Sequence, residues 1–384
     1  MQVLVVGCGI VGATIAYELS QVPGLDITVV DRQAAPAANN QTTYQSGTGA
    51  ALGLLMASIS KKTKGRNLRM RFAGVDWYDR VIPEITARTG LHIPINRQGL
   101  LMLQFEDDRL EGWEKLIPIR QTQNRRLEIW DCAKLQQQAP HLSLNKVVAG
   151  IYSPDDRQIH PAILTQGIVK AAQQHGVDFQ FSVEVTGVTQ TSGQVTQVMT
   201  NQGPIDCEQL VIAAGLGAFP LTQSLNEPIE LRPVLGQAVQ LQLPQQLGIP
   251  EFQPVFTGRD IHIVPLGQVD GHWEYWVGAT VEFPSDDDIA AAQAPTADPE
   301  MFATVMQGAF DLCPELDPAE TIRHWSGIRP RPQGRPAPVI ERLPGYDNVI
   351  IAAGHYRNGV LLAPATAIGV STILRNGTLP ETWI

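Results

Sequence analysis

The chain has 384 residues, 43% of them apolar, enough for one large or two ordinary domains with a sizeable core. With 28 basic against 38 acidic residues its formal net charge is −10, which excludes a general nucleic-acid binder needing a net basic face. Cys8, Cys132, Cys207 and Cys313 are far apart and form no CxxC pair, so they read as reduced thiols of a cytoplasmic protein, with no zinc site.

The chain opens on an apolar run, residues 3–6, with no basic segment leading into a long apolar one, so no secretory leader is expected. The run ends in Gly7-Cys8-Gly9-Ile10-Val11-Gly12. A helical pattern follows through Ile15, Ala16 and Leu19, and a second apolar strand over 27–30 ends at Asp31 and Arg32. Strand, glycine turn, helix, strand and acid is the order of a dinucleotide-binding βαβ unit. Glycine lets the backbone approach a pyrophosphate, and the helix presents its first N–H groups and positive dipole end to it. Asp31, nineteen residues beyond Gly12, can accept from a ribose hydroxyl. A plain tight turn is the alternative.

Residues 41–57 are small, glycine-rich and apolar, and include Thr48, Gly49, Ala50, Ala51, Gly53 and Leu54. They read as backbone packed closely on something. The stretch 61–71 carries six cations and reads as a solvated helix face, with an anion or membrane-surface contact as the alternative. From Phe72 a helical pattern carries Trp77 and Tyr78 to about residue 89. Residues 98–104 and 150–152 read as strands. Pro161 opens a helix where its missing N–H costs nothing, and Gly176 closes it. Residues 179–198 alternate as a hairpin. Residues 209–217 form a buried strand ending in a small turn with Ala214 and Gly215.

Strands at 234–243, 261–265 and 275–280 make a second sheet. The acidic, proline-containing stretch 283–299 is expected as a surface loop, and a helix runs from Pro299 to before Pro314. A last buried strand, 349–353, feeds Gly354-His355-Tyr356-Arg357-Asn358-Gly359 and a final helix over 364–374. No window reaches about 18 uninterrupted apolar residues, so no membrane span is expected. The pattern predicts a mixed α/β fold. A Rossmann-like FAD-binding domain (1–90, 150–217 and 325–384) joins a discontinuous antiparallel-sheet substrate domain (91–149 and 218–324).

The first fingerprint alone does not choose between NAD and FAD. Glycine turns at 7–12, 213–215 and 354–359 favour FAD, since an extended cofactor folded into the protein centre draws on loops from both chain ends. Arg329, in Trp325-Ser326-Gly327-Ile328-Arg329-Pro330, suits a planar anion held by two parallel hydrogen bonds; a surface arginine beside Arg331 and Arg335 is the alternative. His262 alternates within an apolar strand, as a core histidine or as a residue over a substrate.

Together GCGIVG, SGIRP and GHYRNGVLLAPATA resemble the D-amino-acid-oxidase superfamily of flavoproteins. Within it the chain most resembles the bacterial glycine oxidases of the thiamine-pathway type, with the sarcosine oxidases nearby. DDRQIHPAILTQGIVKAA resembles their middle helix region and IVPLG with WVGAT their substrate sheet, so the resemblance covers essentially the whole chain. It implies non-covalent FAD and oxidation of an amine next to a carboxylate: glycine, sarcosine or a D-amino acid. Oxygen would be the acceptor, giving an imine, then a 2-oxo acid, and hydrogen peroxide, with a role in thiamine (thiazole) biosynthesis. A D-amino-acid dehydrogenase passing electrons to a quinone, and a non-catalytic flavin scaffold or sensor, are the alternatives. A homo-oligomer is also implied.

Position by position, the resemblance makes Arg329 the grip on the substrate carboxylate and Gly7, Gly9 and Gly12 the pyrophosphate turn. Asp31 stands where the family usually has glutamate, Thr48 to Leu54 match the loop around the flavin, and Val185 meets the adenine. His355, Arg357, Asn358, Gly359, Val360 and Leu361 match the loop at the flavin ring, Arg357 with a catalytic role in stabilising its charge. Two departures stand out. His262 occupies the place of a substrate-facing tyrosine, where it could take a proton from the substrate ammonium, and the loop 39–47 is longer than usual. No cysteine stands where sarcosine oxidases attach their flavin.

Overall fold

The computed structural model describes residues 1–36, 44–285 and 295–383. Most of the long loop expected at 39–47, and the middle of the acidic stretch 283–299, lie outside the described residues.

The first sheet has six strands. Asp178–Phe181, Asp26–Asp31, Gln2–Val6, Gln209–Ile212 and Val349–Ala353 lie side by side in parallel, and Val339–Arg342 closes the far edge antiparallel. Their apolar runs are continuous because both faces are covered. Val3, Val5, Ile27, Val29 and Ile350 pack with the helices Ile10–Leu19, Arg66–Thr89, Pro161–Gln174 and Gly359–Asn376. Leu4, Val6, Val30, Ile212 and Ile351 point the other way, into a core shared with the three-stranded sheet Val185–Thr191, Gln194–Thr200 and Gly203–Asp206.

Residues 178–181 correct one expectation. They are not the first arm of a hairpin but pair in parallel with Asp26–Asp31; Ser182 then turns at φ 59°, and the hairpin begins at Val185. The free edge of the 26–31 strand supplies a partner that local alternation cannot reveal.

The last helix starts at Gly359, so Pro364 lies inside it rather than opening it. The missing Pro364 N–H leaves the Val360 carbonyl without its helical partner. The Tyr78 hydroxyl, fully buried on the Arg66–Thr89 helix, donates to that oxygen at 2.6 Å. Gly74 of the same helix makes the approach possible, since a Cβ there would lie 2.0 Å from the Leu361 carbonyl oxygen. The two helices therefore touch backbone to backbone where the 354–359 loop ends. By length and apolarity Tyr356–Asn376 could cross a membrane; here 67% of its apolar window is buried, as in a core helix.

The Arg66–Thr89 helix also begins before Phe72, which divides the basic run. Lys61, Lys62 and Lys64 are exposed ahead of it, while Arg71 turns inward and donates to the Met56 carbonyl at 2.7 Å.

The second sheet has nine strands. Near one edge lies the long antiparallel pair Glu320–Pro332 and Leu231–Leu243, followed across the sheet by His272–Gly278, Ile261–Val269 and Val255–Gly258. One face packs with residues of the Pro299–Leu312 helix. The other face, with Ala238, Trp276 and Trp325, borders a deep cleft toward the first sheet.

Candidate active site

The cleft has a volume of about 2030 Å³. A small-molecule site needs roughly 300–1,000 Å³, so this one has room for a large ligand and a small one together.

One end is built from backbone. Gly7 turns at φ 104°, and a Cβ there would lie 2.6 Å from the Ala213 carbonyl oxygen. A Cβ on Gly12 would lie 1.8 Å from the Gly7 oxygen. The two glycines thus let the first helix seat directly on the strand ends, and its N-cap, Gly9, contributes no side-chain cap. The Thr48 hydroxyl accepts from the Ile10 N–H at 3.0 Å, and Asp31 accepts from the N–H groups of Cys8 at 2.5 Å and Gln33 at 2.8 Å. Cys8 is buried, which holds its thiol protonated. The uncapped helix N-terminus presents a positive dipole end, which favours an anion.

Every residue expected to hold the cofactor lines this one cleft except Gly12 and Asn358. Gly12 does its work beneath the turn, by packing. Asn358 donates its backbone N–H to the His355 carbonyl at 3.1 Å, inside the loop. His355 reaches the cleft, but its ring serves the loop. Nε2 lies 2.8 Å from the Thr366 hydroxyl, which itself donates to the Leu362 carbonyl, so Nε2 is the donor and the loop is tied to the last helix. Burial lowers the His355 pKa to about 3, so the ring is neutral.

The other end is built from side chains. Arg329 is mostly buried, and its Nη1 donates to the carbonyls of Leu235 at 2.9 Å and Thr280 at 3.1 Å. Gly236 makes room for it: a Cβ there would lie 2.2 Å from Nη2. Among the described residues no carboxylate is within ion-pair distance of this guanidinium. Burial, then the charge of Arg357, lowers its pKa to about 10, and it stays cationic at neutral pH. The bland reading of Arg329 as a surface arginine does not match this burial.

His262 lines the same end, 8% exposed. The Thr257 hydroxyl donates to the Ile261 carbonyl at 2.9 Å, so the 2.9 Å contact with His262 Nδ1 must be a donation from the ring. Nε2 then carries the lone pair. Burial, with the cations Arg357 and Arg329, lowers the His262 pKa to about 4. Arg357 is exposed and sits 3.7 Å from Asp260.

Several residues here escaped the sequence reading. Gly236 is visible only through the arginine crossing it from the next strand. His160 caps the Pro161–Gln174 helix, accepting from the Ile163 N–H at 3.4 Å, and packs edge-on against Trp276 with ring centroids 4.9 Å apart. Gln240, opposite Trp276 in the register, takes the Trp276 indole N–H at 3.3 Å.

The sequence pattern of the DAO family, the FAD dependent oxidoreductases, matches residues 2–371. The chain belongs to the DAO family. It is 29% identical over 374 residues to the bifunctional protein ThiO/ThiG of Nostoc sp., covering 97% of this chain and 52% of that one. The chain thus spans about half the length of the ThiO/ThiG relatives it matches. It is 26% identical to the glycine oxidase of Pseudomonas putida, covering 95% and 92% of the two chains. The glycine oxidase structure from Bacillus cereus superposes with a TM-score of 0.84 at 21% identity, over 100% of this chain and 97% of that one, and shares the fold.

FAD, the DAO-family cofactor, fits the cleft by its volume and by the backbone turn at one end, where the first helix presents an uncapped N-terminus. The 7–12 turn would hold the pyrophosphate and Asp31 a ribose. Val185 lines the cleft near the end of Asp26–Asp31, and the loops 48–54 and 354–361 line its other walls.

Proposed function

We propose that this DAO-family protein oxidises a small α-amino acid or N-alkyl glycine, of the glycine, sarcosine or D-alanine class. The observation that carries the reading is Arg329, a largely buried guanidinium with no carboxylate partner among the described residues, opening onto the cleft. A bound carboxylate supplies a directly bonded anion, and the rigid arginine fork holds it in one orientation.

FAD, when bound, supplies the acceptor for the two electrons released at the substrate carbon. The chain supplies orientation and charge. Arg329 binds the carboxylate, Gly236 keeps the guanidinium in place, and Arg357 adds a second positive field. His262 presents a lone pair on Nε2 and accepts an N–H of the substrate amine. Its low pKa makes it a poor base for an ammonium, so that proton goes to water, and the neutral amine is the reacting form.

Oxygen is the proposed acceptor of the electrons and a quinone the alternative. A role in the thiamine pathway, and the catalytic and cofactor-binding roles given above to individual residues, belong to the same proposal, as does the division into the two discontinuous domains.

The test is the visible spectrum of the purified protein under nitrogen while glycine, sarcosine and D-alanine are added in turn. Bleaching of the flavin band by one of them is expected, and recovery of colour on admitting air identifies oxygen as acceptor. A yellow protein that none of them bleaches sinks this substrate class; bleaching without recovery in air sinks the oxidase assignment.

A further inference from the structure

The two carbonyl oxygens that hold Arg329 are set by one short segment, residues 280–282. Leu235 and Glu282 exchange backbone hydrogen bonds at 2.9 and 3.0 Å, so the Leu235 oxygen is shared between the Glu282 N–H and Arg329. Thr280 donates its N–H to the Gln237 carbonyl at 3.3 Å and takes the Gln237 N–H on its hydroxyl oxygen at 2.8 Å. The Glu282 carboxylate closes the arrangement. It accepts from the Thr280 hydroxyl, from Gln237 Nε2 at 2.8 Å and from the Asp298 N–H at 2.8 Å. Gln237, Thr280 and Glu282 are all buried, at 1%, 2% and 7% exposure.

The three donors to Glu282 among the described residues are neutral. They use both carboxylate oxygens as acceptors, an arrangement that the single acceptor oxygen of an amide or a hydroxyl cannot reproduce. Arg329 likewise has only neutral acceptors. Among the described residues, a buried carboxylate without a bonded cation and a largely buried guanidinium without a bonded anion are thus joined through one residue, Thr280. The negative field of Glu282 acts on Arg329 in the direction that favours its charged form.

We propose that Glu282 is a positioning residue and the standing counter-charge of Arg329. It stabilises the guanidinium when no substrate is bound and holds the affinity for a carboxylate down, so that a carboxylate product leaves. This rests on the reading of Arg329 as the carboxylate clamp.

The test uses the FAD-loaded protein and propionate, a carboxylate that cannot be oxidised at an amine carbon, with binding followed by calorimetry. Glu282→Gln keeps the size and removes the charge, while turning an N–H2 toward one of the donors that the carboxylate accepts from. The ligand-free variant is expected to melt at a lower temperature, and its propionate Kd to tighten about three- to tenfold. A residue needed only for shape loses both stability and affinity, so an unchanged or weaker Kd overturns the proposal. Thr280→Val removes the hydroxyl link but leaves the charge, and no tightening is expected; tightening equal to that of Glu282→Gln overturns the charge account. If Glu282→Gln does not fold, the double variant Glu282→Gln with Arg329→Met is expected to fold, because both buried charges are gone. A double variant that also fails overturns the pairing. Arg329→Met alone separates the two readings: propionate binding equal to wild type means the clamp itself is wrong, whatever Glu282 does.

Discussion

The two ends of the cleft are held by different means. The glycine-turn end is backbone against backbone: Gly7 on Ala213, Gly12 on Gly7, with the first helix seated on the strand ends. The Arg329 end is buried charge on a sheet: a guanidinium over Gly236, two carbonyls beneath it, and a neutral histidine with one nitrogen tied down. The first arrangement tolerates no added atoms and needs no particular charge. The second depends on every charge and proton in its neighbourhood. Damage at one end should therefore leave the other readable.

The largest effect is expected from Gly12→Val. Its Cβ would fall 1.8 Å from a backbone oxygen that has nowhere to move, so the turn is lost and the protein purifies colourless. A yellow variant would refute the cradle. Arg329→Ala should leave the colour intact and weaken the substrate by about 3–5 kcal/mol, the cost of leaving a desolvated charge without its partner. An unchanged apparent affinity would break the contrast between the two ends.

Gly236→Ala sharpens the contrast without touching a charge. The added methyl meets the guanidinium at 2.2 Å and displaces it, an overpacking cost of about 1–3 kcal/mol, read as weaker substrate binding with normal flavin content. Tyr78→Phe probes the junction that fixes the 354–359 loop. It strands the Val360 carbonyl, and denaturant melts should show a loss of about 1–2 kcal/mol.

Mild acid has the smallest effect per group. His141, His160 and His262 are held neutral by burial, each with its pKa lowered to about 4, and His355 to about 3. A lowered histidine pKa contributes stability that is fully present above the unfolded value near 6.5 and is lost as pH falls toward the folded value. Between pH 7 and 6 each group should remove a little under about 1 kcal/mol of unfolding free energy. Urea midpoints that do not move over that range would contradict the buried, neutral assignment.

The glycine-turn end was legible because its rules are local. Strand, GCGIVG, helix and Asp31 are contiguous, and each glycine has a steric reason readable from spacing. The substrate end was legible only in part. Arg329 and His262 stood out as polar residues in apolar strands, but nothing near them in sequence names Gly236, Thr257, Thr280 or Glu282. The sequence opens the final helix at Pro364 because proline favours a first helical position, whereas the hydroxyl that lets Pro364 sit inside the helix comes from Tyr78, 282 residues away.

The sequence by itself determined the alternation of βαβ and antiparallel elements, the tight glycine turn at 7–12 and the family, because those depend on periodicity and contiguous backbone sterics. Tertiary structure alone decided the edge strand at 178–181, the tautomer of His262 and the mount beneath Arg329. Each of these is a contact between segments far apart in the chain, whose free energy exists only once burial has removed the water between them.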